Sequence, residues 1–450
     1  MFRLDLGNAG FRCDGVSRRS FLSASLTGLA ALGMPNLAQL RAASETPKRT
    51  SVILMWLDGG PSHLDLYDMK PDAPAEYRGI WRPIRTRVPG FDITEMFPRQ
   101  AEHTDKFSIV RSLHHGTGDH FAGGHRMLTT KDMGVSGANN AGRFPGIGSV
   151  VSRQIGPRHP GMPAYVGVPH AASIGLVPGY FGGNFLGEVH NPFITGGDPN
   201  APNFTVQNLN LANGLTLDRM EDRRSLTRHF DDARRDLGRL ESSQAMDRFT
   251  AEAFEFVTGP RARTAFDLRR ESPRTRDRYG RHSWGQSTLL ARRLVEAGST
   301  FVAVHFGGWD HHWDLEQGYD AYLPRVDSCV SGLFEDLAER GMSDDVLVVL
   351  CGEFSRTPRM NDGSGRGKPG RDHWGDSMFC LMGGGGVKGG RIVGSTDSNG
   401  TRPTTRAVTP SNIHATIYRC LGIDPQITLR DLTGRPVNVL DDPTPIDELF

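Results

Sequence analysis

The chain has few cysteines, a balanced charge and no long apolar run, and each absence excludes a class of protein. The five cysteines among 450 residues have no C-x-x-C spacing, which excludes a zinc knuckle. A formal net charge of +1 offers no electrostatic basis for binding nucleic acid or an acidic membrane. No run approaches the about 20 apolar residues that a membrane-spanning helix needs. The sequence therefore predicts a soluble mature chain with no nucleic-acid partner and no transmembrane segment.

The N-terminal region has the pattern of an export signal. Residues 17–22 (SRRSFL) contain a twin-arginine motif, a modest apolar run follows at residues 24–32, and Ala42 and Ala43 offer a cleavage point. The alternatives are an uncleaved anchor and a chance arginine pair. The pattern predicts a twin-arginine signal peptide over residues 1–43, the twin-arginine translocase as a partner, and a periplasmic or otherwise exported protein. Because this route moves folded proteins, it suits an enzyme that loads a metal or cofactor first.

The cysteines outside the signal are Cys329, Cys351, Cys380 and Cys420. Cys351 and Cys380 each lie in an apolar run that is typical of a strand. Export to an oxidising compartment would permit a disulfide, but buried free thiols are the favoured interpretation.

Continuous apolar runs predict an α/β fold. The runs at 51–57, 301–305 and 346–350 are typical of strands in the middle of a parallel sheet. Further strands are predicted at 107–111, 164–168 and 378–382, and helices at 319–341 and 410–421, the latter with Thr409 as N-cap.

The rest of the chain is expected to form one domain over residues 44–450. Within it, residues 171–203 are rich in glycine, asparagine and proline and are interpreted as an insertion that covers the site. Residues 217–298 are interpreted as an arginine-rich helical region, interrupted near 259–260 and 272–273.

Acidic and histidine residues follow three of the apolar runs directly. Because parallel strands end at one edge of a sheet, these side chains are expected to converge there. Carboxylates with imidazoles suit zinc, manganese or another divalent ion, and two such ions about 3.5–4 Å apart would clamp a phosphoryl or sulfuryl group. For a lone Asp after a strand the alternative is a turn or helix cap, and for Glu353 it is an ion pair with Arg356 or Arg359. The predicted metal ligands are Asp58, Asp310, His312, Glu353, Asp372 and His373.

A second group of histidines lies at residues 114–125, where His120 and His125 are the favoured catalytic residues. A histidine with a pKa near about 6.5 suits a base, although a hydrogen bond to a loop carbonyl is the alternative role. Cationic side chains that would bind an oxyanion are Arg356, Lys368 and Arg371, with an exposed loop position as the alternative for Lys368.

Several segments together resemble a known family. They are LDGGPSHLD, SLHHGTGDHFAGGHRMLTT, GGWDHH, GEFSRTPRMN and GRDHWGDS, in addition to the leader. The combination is similar to an uncharacterised, sulfatase-like bacterial family (domain of unknown function 1501) of the alkaline phosphatase-like superfamily. The resemblance covers nearly the whole mature chain. It implies a three-layer sandwich with a mostly parallel central sheet, an alkaline phosphatase-like core, and a site that usually holds two metals and a nucleophile.

The resemblance also implies roles for single residues. Asp310 and His312 resemble the Asp/His pair of one metal, His373 resembles the last metal-binding histidine, and Asp58 resembles the Asp after the first strand. Glu353 takes the position of a superfamily Asp.

The chain departs from the superfamily pattern at two places. Phe354 stands where a second metal-binding histidine commonly follows, which favours a one-metal site or a site without catalysis. No Ser or Thr stands at the usual nucleophile position, where Phe121 follows His120, and Thr117 and Ser112 are only nearby. The absence of C-x-P-x-R and S-x-P-x-R means that the formylglycine of true sulfatases cannot form by that signature.

Two functions fit these observations. The first is an exported metal-dependent hydrolase of phosphate or sulfate esters, small-molecule or polysaccharide, with one or two divalent ions (zinc, manganese or calcium). His120 would position or deprotonate the water, with His125 and Thr117 as further catalytic candidates, and Arg356 would steady the oxyanion. The alternative is a non-catalytic exported protein that binds a polysaccharide or a cell-surface partner through the aromatic, glycine-rich residues 171–203.

Overall fold

The first strand, Ser51–Asp58, is buried along its whole length at the centre of a large sheet. The structure is a computed structural model that describes residues 50–132, 144–206, 255–256 and 259–450. Because successive side chains of a strand point to opposite faces, this strand supplies two separate cores. Its residues Ile53, Met55 and Leu57 belong to one core cluster, and Val52, Leu54 and Trp56 belong to the other.

The described residues contain the following elements. The strands are β1 Ser51–Asp58, β2 Pro83–Ile84, β3 Ile93–Thr94, β4 Phe107–Leu113, β5 Tyr165–Val168, β6 Phe193–Ile194, β7 Phe301–Gly307, β8 Val346–Cys351, β9 Ser355–Arg356, β10 His373–Trp374, β11 Met378–Gly383, β12 Ile392–Val393, β13 Ser395–Thr396, β14 Pro403–Thr405, β15 Thr428–Arg430 and β16 Pro436–Asn438. The α-helices are α1 His63–Leu66, α2 Pro98–Ala101, α3 His120–Thr129, α4 Ile147–Ile155, α5 Pro260–Phe266, α6 Pro273–Tyr279, α7 Ser283–Ala297, α8 Leu315–Glu339 and α9 Pro410–Leu421. Short 3-10 turns occur at Gly179–Phe181, Asn184–Leu186, Glu188–His190, Leu268–Arg270 and Asp447–Leu449.

The main sheet has the strand order β12-β4-β11-β8-β1-β7-β5-β6. Strands β8, β1, β7, β5 and β6 run parallel, as do β12 and β4. Strand β11 is antiparallel to both of its neighbours, β4 and β8. The prediction of a mostly parallel sheet is confirmed. The reversed direction of β11 was not predicted, because a strand buried on both faces is apolar throughout whichever way it runs.

Helices cover both faces of this sheet. Leu289 and Leu294 of α7 and Leu333 of α8 lie in the core with Ile53 and Met55. Residues of α4 and α9 lie in the opposite core, among them Val150, Ile413 and Ile417. The three layers and the α/β class agree with the sequence analysis.

The predicted elements agree with the observed ones to within a few residues. Helix α9 begins at Pro410, and Thr409 forms the expected N-cap, as a capping box with Asn412. Helix α8 begins at Leu315 rather than at Tyr319. None of the helices in the described residues combines the length and apolar character that crossing a membrane requires. The four cysteines of the described residues are buried, and no disulfide joins any two of them.

Two of the sequence predictions lie partly or wholly outside the described residues. The leader at 1–43 is one, and residues 217–254 of the predicted helical region are the other. In the described part of that region, α5 begins at Pro260 and α6 at Pro273, which is where the interruptions were expected. Proline at the first helical position is compatible with both starts. Residues Arg49–Phe450 belong to one compact unit.

The glycine-rich residues 171–203 lie at the carboxyl edge of the sheet and also extend it. Their strand β6 pairs with β5. The backbone N–H of Ile174 donates to the carboxylate of Asp58 at 3.1 Å. The ring of Tyr180 packs edge-on against His125 of α3.

Candidate metal centre

One edge of the sheet carries the residues that the sequence singled out. Strands β1, β4, β7 and β8 end at this edge, and the antiparallel strand β11 begins there. His120 is the first residue of α3, after β4, and Asp310 and His312 follow β7. His373 opens the short strand β10, just before β11.

Three imidazoles and one carboxylate meet at a common centre. The Nε2 atoms of His312 and His373 both lie 3.1 Å from Oδ1 of Asp310, and Nε2 of His120 lies 3.3 Å from its Oδ2. The Nε2 atoms of His312 and His373 are 2.9 Å apart. Ligand atoms of His120, Asp310 and His373 all lie within 4.8 Å of one another.

The Nδ1 atom of each imidazole faces an acceptor on the outside of the cluster. Nδ1 of His120 lies 2.9 Å from Oε1 of Glu353, and Nδ1 of His312 lies 2.6 Å from Oδ1 of Asp372. Nδ1 of His373 lies 2.8 Å from the carbonyl oxygen of Gly118. A metal-ligating histidine almost always donates its other N–H to a carboxylate or carbonyl in this manner.

The acceptors around His312 and His373 favour tautomers that place no hydrogen between their Nε2 atoms. The carbonyl oxygen of Gly118 can only accept a hydrogen bond, so Nδ1 of His373 carries the hydrogen. The ionised carboxylate of Asp372 is likewise only an acceptor, so Nδ1 of His312 carries a hydrogen too. With the hydrogens on Nδ1, both rings turn Nε2 lone pairs toward each other and toward Asp310. The two facing lone pairs repel each other unless a proton or a metal ion lies between the nitrogens. The donor set therefore fits one divalent ion held by His120, Asp310, His312 and His373.

The electrostatics of Asp310 agree with an ionised ligand. Burial acts to raise the pKa of this carboxyl, but the adjacent His120 and His373 rings and the Arg356 guanidinium hold it well below its usual range. For His373, burial and the charge of Arg356 lower the pKa, against the hydrogen bond to Asp310.

His120, which is partly buried, pairs with Glu353, which is fully buried behind it. Burial acts to lower the pKa of His120, but its hydrogen bonds with Asp310 and Glu353 raise it to about 9. Burial, together with the charge of Asp58, raises the pKa of Glu353, and the hydrogen bond from His120 opposes this. Both oxygens of Glu353 also accept from the backbone N–H of Gly59, at 2.9 and 3.1 Å.

Two glycines allow this close assembly. Gly59 has a φ of +117°, and a Cβ there would lie 2.6 Å from the backbone nitrogen of Asp310. On α3, a Cβ at Gly123 would lie 2.9 Å from the carbonyl oxygen of Glu353. Glycine at both positions lets the β1 exit and helix α3 approach the segments that carry Asp310 and Glu353.

Asp58 lies at the same edge but faces other partners. Its carboxylate accepts from Nε1 of Trp56 at 3.0 Å and from the backbone of Ile174, and its Oδ2 lies 3.1 Å from Nε2 of His305. His305 was not among the predicted site residues. A histidine inside the apolar run of β7 is the signal by which the sequence could have revealed it.

None of the three cationic side chains that were predicted to bind an oxyanion is available to do so in the centre. One donates its hydrogen bonds to protein groups there, and the other two lie outside the centre. Arg356 is fully buried and donates to Asp310 Oδ1 at 2.7 Å, to the carbonyls of Gly59 and Gly60, and to that of Arg371. The guanidinium of Arg371 is buried against Asp65 at 3.0 Å. Lys368 is exposed, and its backbone pairs with Asp314. The structure thus brings Arg356 to the site as a support for Asp310 and leaves the other two outside it.

Two of the three predicted catalytic residues lie beside the cluster rather than in it. His125 is buried on α3, and its Nδ1 lies 2.8 Å from the carbonyl of Lys131. Thr117 accepts from the N–H of Asp119, which caps α3. Only His120 reaches the centre. Phe354, where the resemblance would place a metal-binding histidine, packs its ring against His120 and His373 with centroids 4.8 and 4.5 Å away.

The family model described as "Protein of unknown function (DUF1501)" matches residues 49–450. The chain belongs to this family. The resemblance stated from the motifs is therefore confirmed over nearly the whole length that it was expected to cover. No curated protein matches the chain at a significant level.

Several solved structures match this chain at low sequence identity and low TM-score. The sulfatase PsFucS1 from Pseudoalteromonas sp. is 12% identical with a TM-score of 0.39, covering 93% of this chain and 74% of its own. Phosphonate monoester hydrolase SpPMH from Silicibacter pomeroyi is 12% identical with a TM-score of 0.40, covering 85% and 76%. A protein in the alkaline phosphatase superfamily from Vibrio parahaemolyticus is 9% identical with a TM-score of 0.40, covering 84% and 67%.

Proposed function

We propose that this protein is an exported metal-dependent hydrolase of phosphate or sulfate esters, with one divalent ion at His120, Asp310, His312 and His373. The single observation that carries the proposal is the orientation of the three imidazoles. Each turns Nε2 to the shared centre, and each places Nδ1 against a carboxylate or carbonyl. A merely structural cluster has no need to align all three rings in this way.

The donor set narrows the identity of the ion. Three nitrogens and one carboxylate suit zinc or manganese, whereas calcium takes oxygen ligands almost exclusively. Glu353 and Asp372, which the sequence analysis placed among the ligands, are proposed instead to hold His120 and His312 in orientation. Asp58 is proposed to lie outside the ligand set, because its oxygens are directed to Ile174, Trp56 and His305.

The site is open enough for an ester to reach it. The side chain of Asp310 is 46% exposed, and those of His312 and His373 are partly exposed. A divalent ion in such a site supplies Lewis-acid activation of an ester oxygen and of water. Two neighbouring side chains hold the proposed ligands in position. Arg356 hydrogen-bonds Asp310, and Glu353 hydrogen-bonds His120.

The geometry revises the proposed role of His120. The sequence predicts that His120 acts as the base. However, its Nδ1 lies against Glu353, and its Nε2 lies against Asp310 in the centre. His120 is therefore proposed as a ligand. Because the described part of the chain places no serine or threonine in the centre, the proposed reaction is attack of water on phosphorus or sulfur, which releases an alcohol and inorganic phosphate or sulfate.

Export is proposed on the twin-arginine motif at residues 17–22. A protein translocated in the folded state keeps an ion acquired beforehand, so the translocase and the metal site fit the same scheme. The substrate is proposed to be a small-molecule or polysaccharide ester, since the half-exposed centre imposes no size limit of its own.

An ester panel tests the proposal. Purified protein is assayed with 4-nitrophenyl phosphate, 4-nitrophenyl sulfate and sulfated oligosaccharides, with added zinc or manganese and after chelation. Hydrolysis that chelation and Asp310→Ala both abolish, and that the exposed control His159→Ala retains, supports the proposal. No hydrolysis, with polysaccharide binding that survives chelation, would favour the non-catalytic binding protein instead.

A further inference from the structure

Cys351 and Cys380 lie directly opposite each other on neighbouring strands. Strands β8 and β11 are antiparallel, and Leu350 is opposite Leu381. One step further along, this register places Cys351 opposite Cys380. Residues opposite each other on antiparallel strands have Cα atoms about 4.5–5.5 Å apart, which lies within the range that a disulfide spans.

The two thiols also point to the same face of the sheet. Both side chains belong to the same core cluster, with exposures of 4% and 0%. The neighbouring Cys351 side chain, together with burial, raises the pKa of the Cys380 thiol, whose Sγ also lies 3.7 Å from the carbonyl oxygen of Leu381. In the described structure both are free thiols. The pair therefore has the position, the orientation and the proximity that a cross-strand disulfide needs.

The pair stands at the two ends of a segment that carries one proposed ligand of the metal centre and several residues that support the ligands. Residues 352–379 include Glu353, Arg356 and His373. Cys351 is two residues before Glu353, at the end of β8, and Cys380 lies in the strand that follows His373. A bond between the two sulfurs would link the two ends of this segment and close it into a loop. The loop would then restrict the movement of Glu353 and His373 relative to each other.

We propose that Cys351 and Cys380 are a disulfide site, oxidised when the chain equilibrates with a disulfide-bearing oxidant such as oxidised glutathione or a protein disulfide. One cysteine thiolate attacks the oxidant's disulfide and releases one thiol. The second cysteine then attacks the mixed disulfide and releases the other thiol. Two cysteine thiols are oxidised to one disulfide, and the oxidant's disulfide is reduced to two thiols.

Burial sets the conditions of the test. A buried, protonated thiol reacts slowly, so exchange requires the strands to open. The full chain is therefore unfolded in denaturant and refolded in a buffer of oxidised and reduced glutathione, and in parallel with reductant alone. Free thiols are trapped with an alkylating reagent, and the digested protein is mapped by mass spectrometry. A native sample held in the same buffer shows whether the bond also forms without unfolding.

The other cysteines supply the matched control. Cys329 is as buried as the pair but lies in the opposite core, across the sheet. The expected result is one linked peptide that joins Cys351 to Cys380, with the remaining cysteines alkylated. The oxidised protein is expected to melt about 5 °C higher than the reduced one, because the bond restricts the unfolded chain.

Variants keep the proposal falsifiable. Cys329→Ser should retain the 351–380 link, whereas Cys351→Ser and, separately, Cys380→Ala should abolish it. Two variants are used so that poor folding of one does not obscure the result. Complete alkylation under oxidising conditions, or links scattered among several cysteines, would overturn the proposal. The readout is a mass, so the outcome is independent of metal binding and of hydrolysis.

Discussion

The Nε2 atoms of His312 and His373 lie 2.9 Å apart, although the surroundings of both rings place the hydrogen on Nδ1. Two bare nitrogens do not approach so closely beside a carboxylate without a cation. An extra proton or a metal ion would satisfy them, but the third imidazole, His120, aimed at the same carboxylate, favours an ion with several ligands. This relationship is the physical basis of the proposed metal centre.

Loss of the carboxylate behind His312 should weaken ion binding without abolishing it. Asp372→Ala removes the acceptor of the His312 Nδ1–H, and the expected loss in ion affinity is about 10- to 100-fold. Asp372→Asn retains an acceptor oxygen and should lose less. Affinity is measured by competition with a chromogenic chelator. The exposed Asp376→Ala is the control, and equal losses for Asp372→Ala and Asp376→Ala would contradict the assigned role.

The close approach of β1 to Asp310 predicts an unusually costly glycine substitution. In Gly59→Ala the new Cβ would meet the backbone of Asp310 at 2.6 Å, in addition to the strain of a positive φ. Gly156 has a φ of +70° with nothing within 4 Å, so Gly156→Ala measures the strain alone. The expected loss in unfolding free energy is about 2 kcal/mol for Gly156→Ala, whose φ of +70° and ψ of −167° favour glycine, and at least about 2 kcal/mol more for Gly59→Ala. Urea denaturation compares them, and equal losses would show that the approach is looser than described.

Arg356 should behave as a structural cation rather than as a substrate-binding one. Arg356→Lys keeps the charge but cannot reproduce the bonds to Asp310, Gly59 and Gly60, so we expect a loss of about 3 kcal/mol in stability. The exposed Lys368→Gln should change stability by less than about 0.5 kcal/mol. Thermal and urea unfolding provide the measurement. A fully stable Arg356→Lys variant with a raised KM for esters would restore the oxyanion-binding role that the sequence suggested.

A buried histidine far from the centre predicts how stability depends on pH. Burial lowers the pKa of His414 to about 4, against the hydrogen bond to the Met127 carbonyl, while the unfolded chain has the ordinary value of about 6.5. Between these values the unfolded state binds more protons, so this contribution is complete above pH 6.5 and falls as the pH drops toward 4. The loss between pH 7 and pH 4 is expected to be about 3 kcal/mol.

His414→Gln keeps a donor for the Met127 carbonyl but does not titrate. Urea midpoints measured from pH 7 to pH 4 should therefore fall less steeply for this variant than for the unaltered protein. Identical slopes for the two proteins would mean that His414 is already charged, or already solvated, in the folded chain.

The sequence was informative about elements that a local residue pattern determines. It was less informative about strand direction and about contacts between residues that are far apart in the chain. The continuous apolar run of β1 and the Thr409 cap of α9 were sufficient to predict those elements. Convergence of Asp310, His312 and His373 at one sheet edge was also predicted, because parallel strands end together. By contrast, nothing in the run of β11 indicates its reversed direction, which depends on the neighbours that it pairs with.

The roles of individual site residues were harder to predict for the same reason. A list of carboxylates does not show that Glu353 and Asp372 stand behind histidines, since ring orientation is a tertiary property. Likewise, the burial of Arg356 and Arg371 depends on carbonyls from distant loops, such as those of Gly59 and Arg78. His305 was missed because a single polar residue in a strand has no spacing pattern to reveal its partner, Asp58.

Metal content is the most direct test of the proposed centre. Protein purified without chelators is analysed by inductively coupled plasma mass spectrometry, beside His373→Ala and the exposed control His159→Ala. We predict about one zinc or manganese ion per chain in the unaltered protein and in His159→Ala, and its loss in a folded His373→Ala variant. A folded protein that contains no such ion and takes up none on reconstitution would contradict the metal centre.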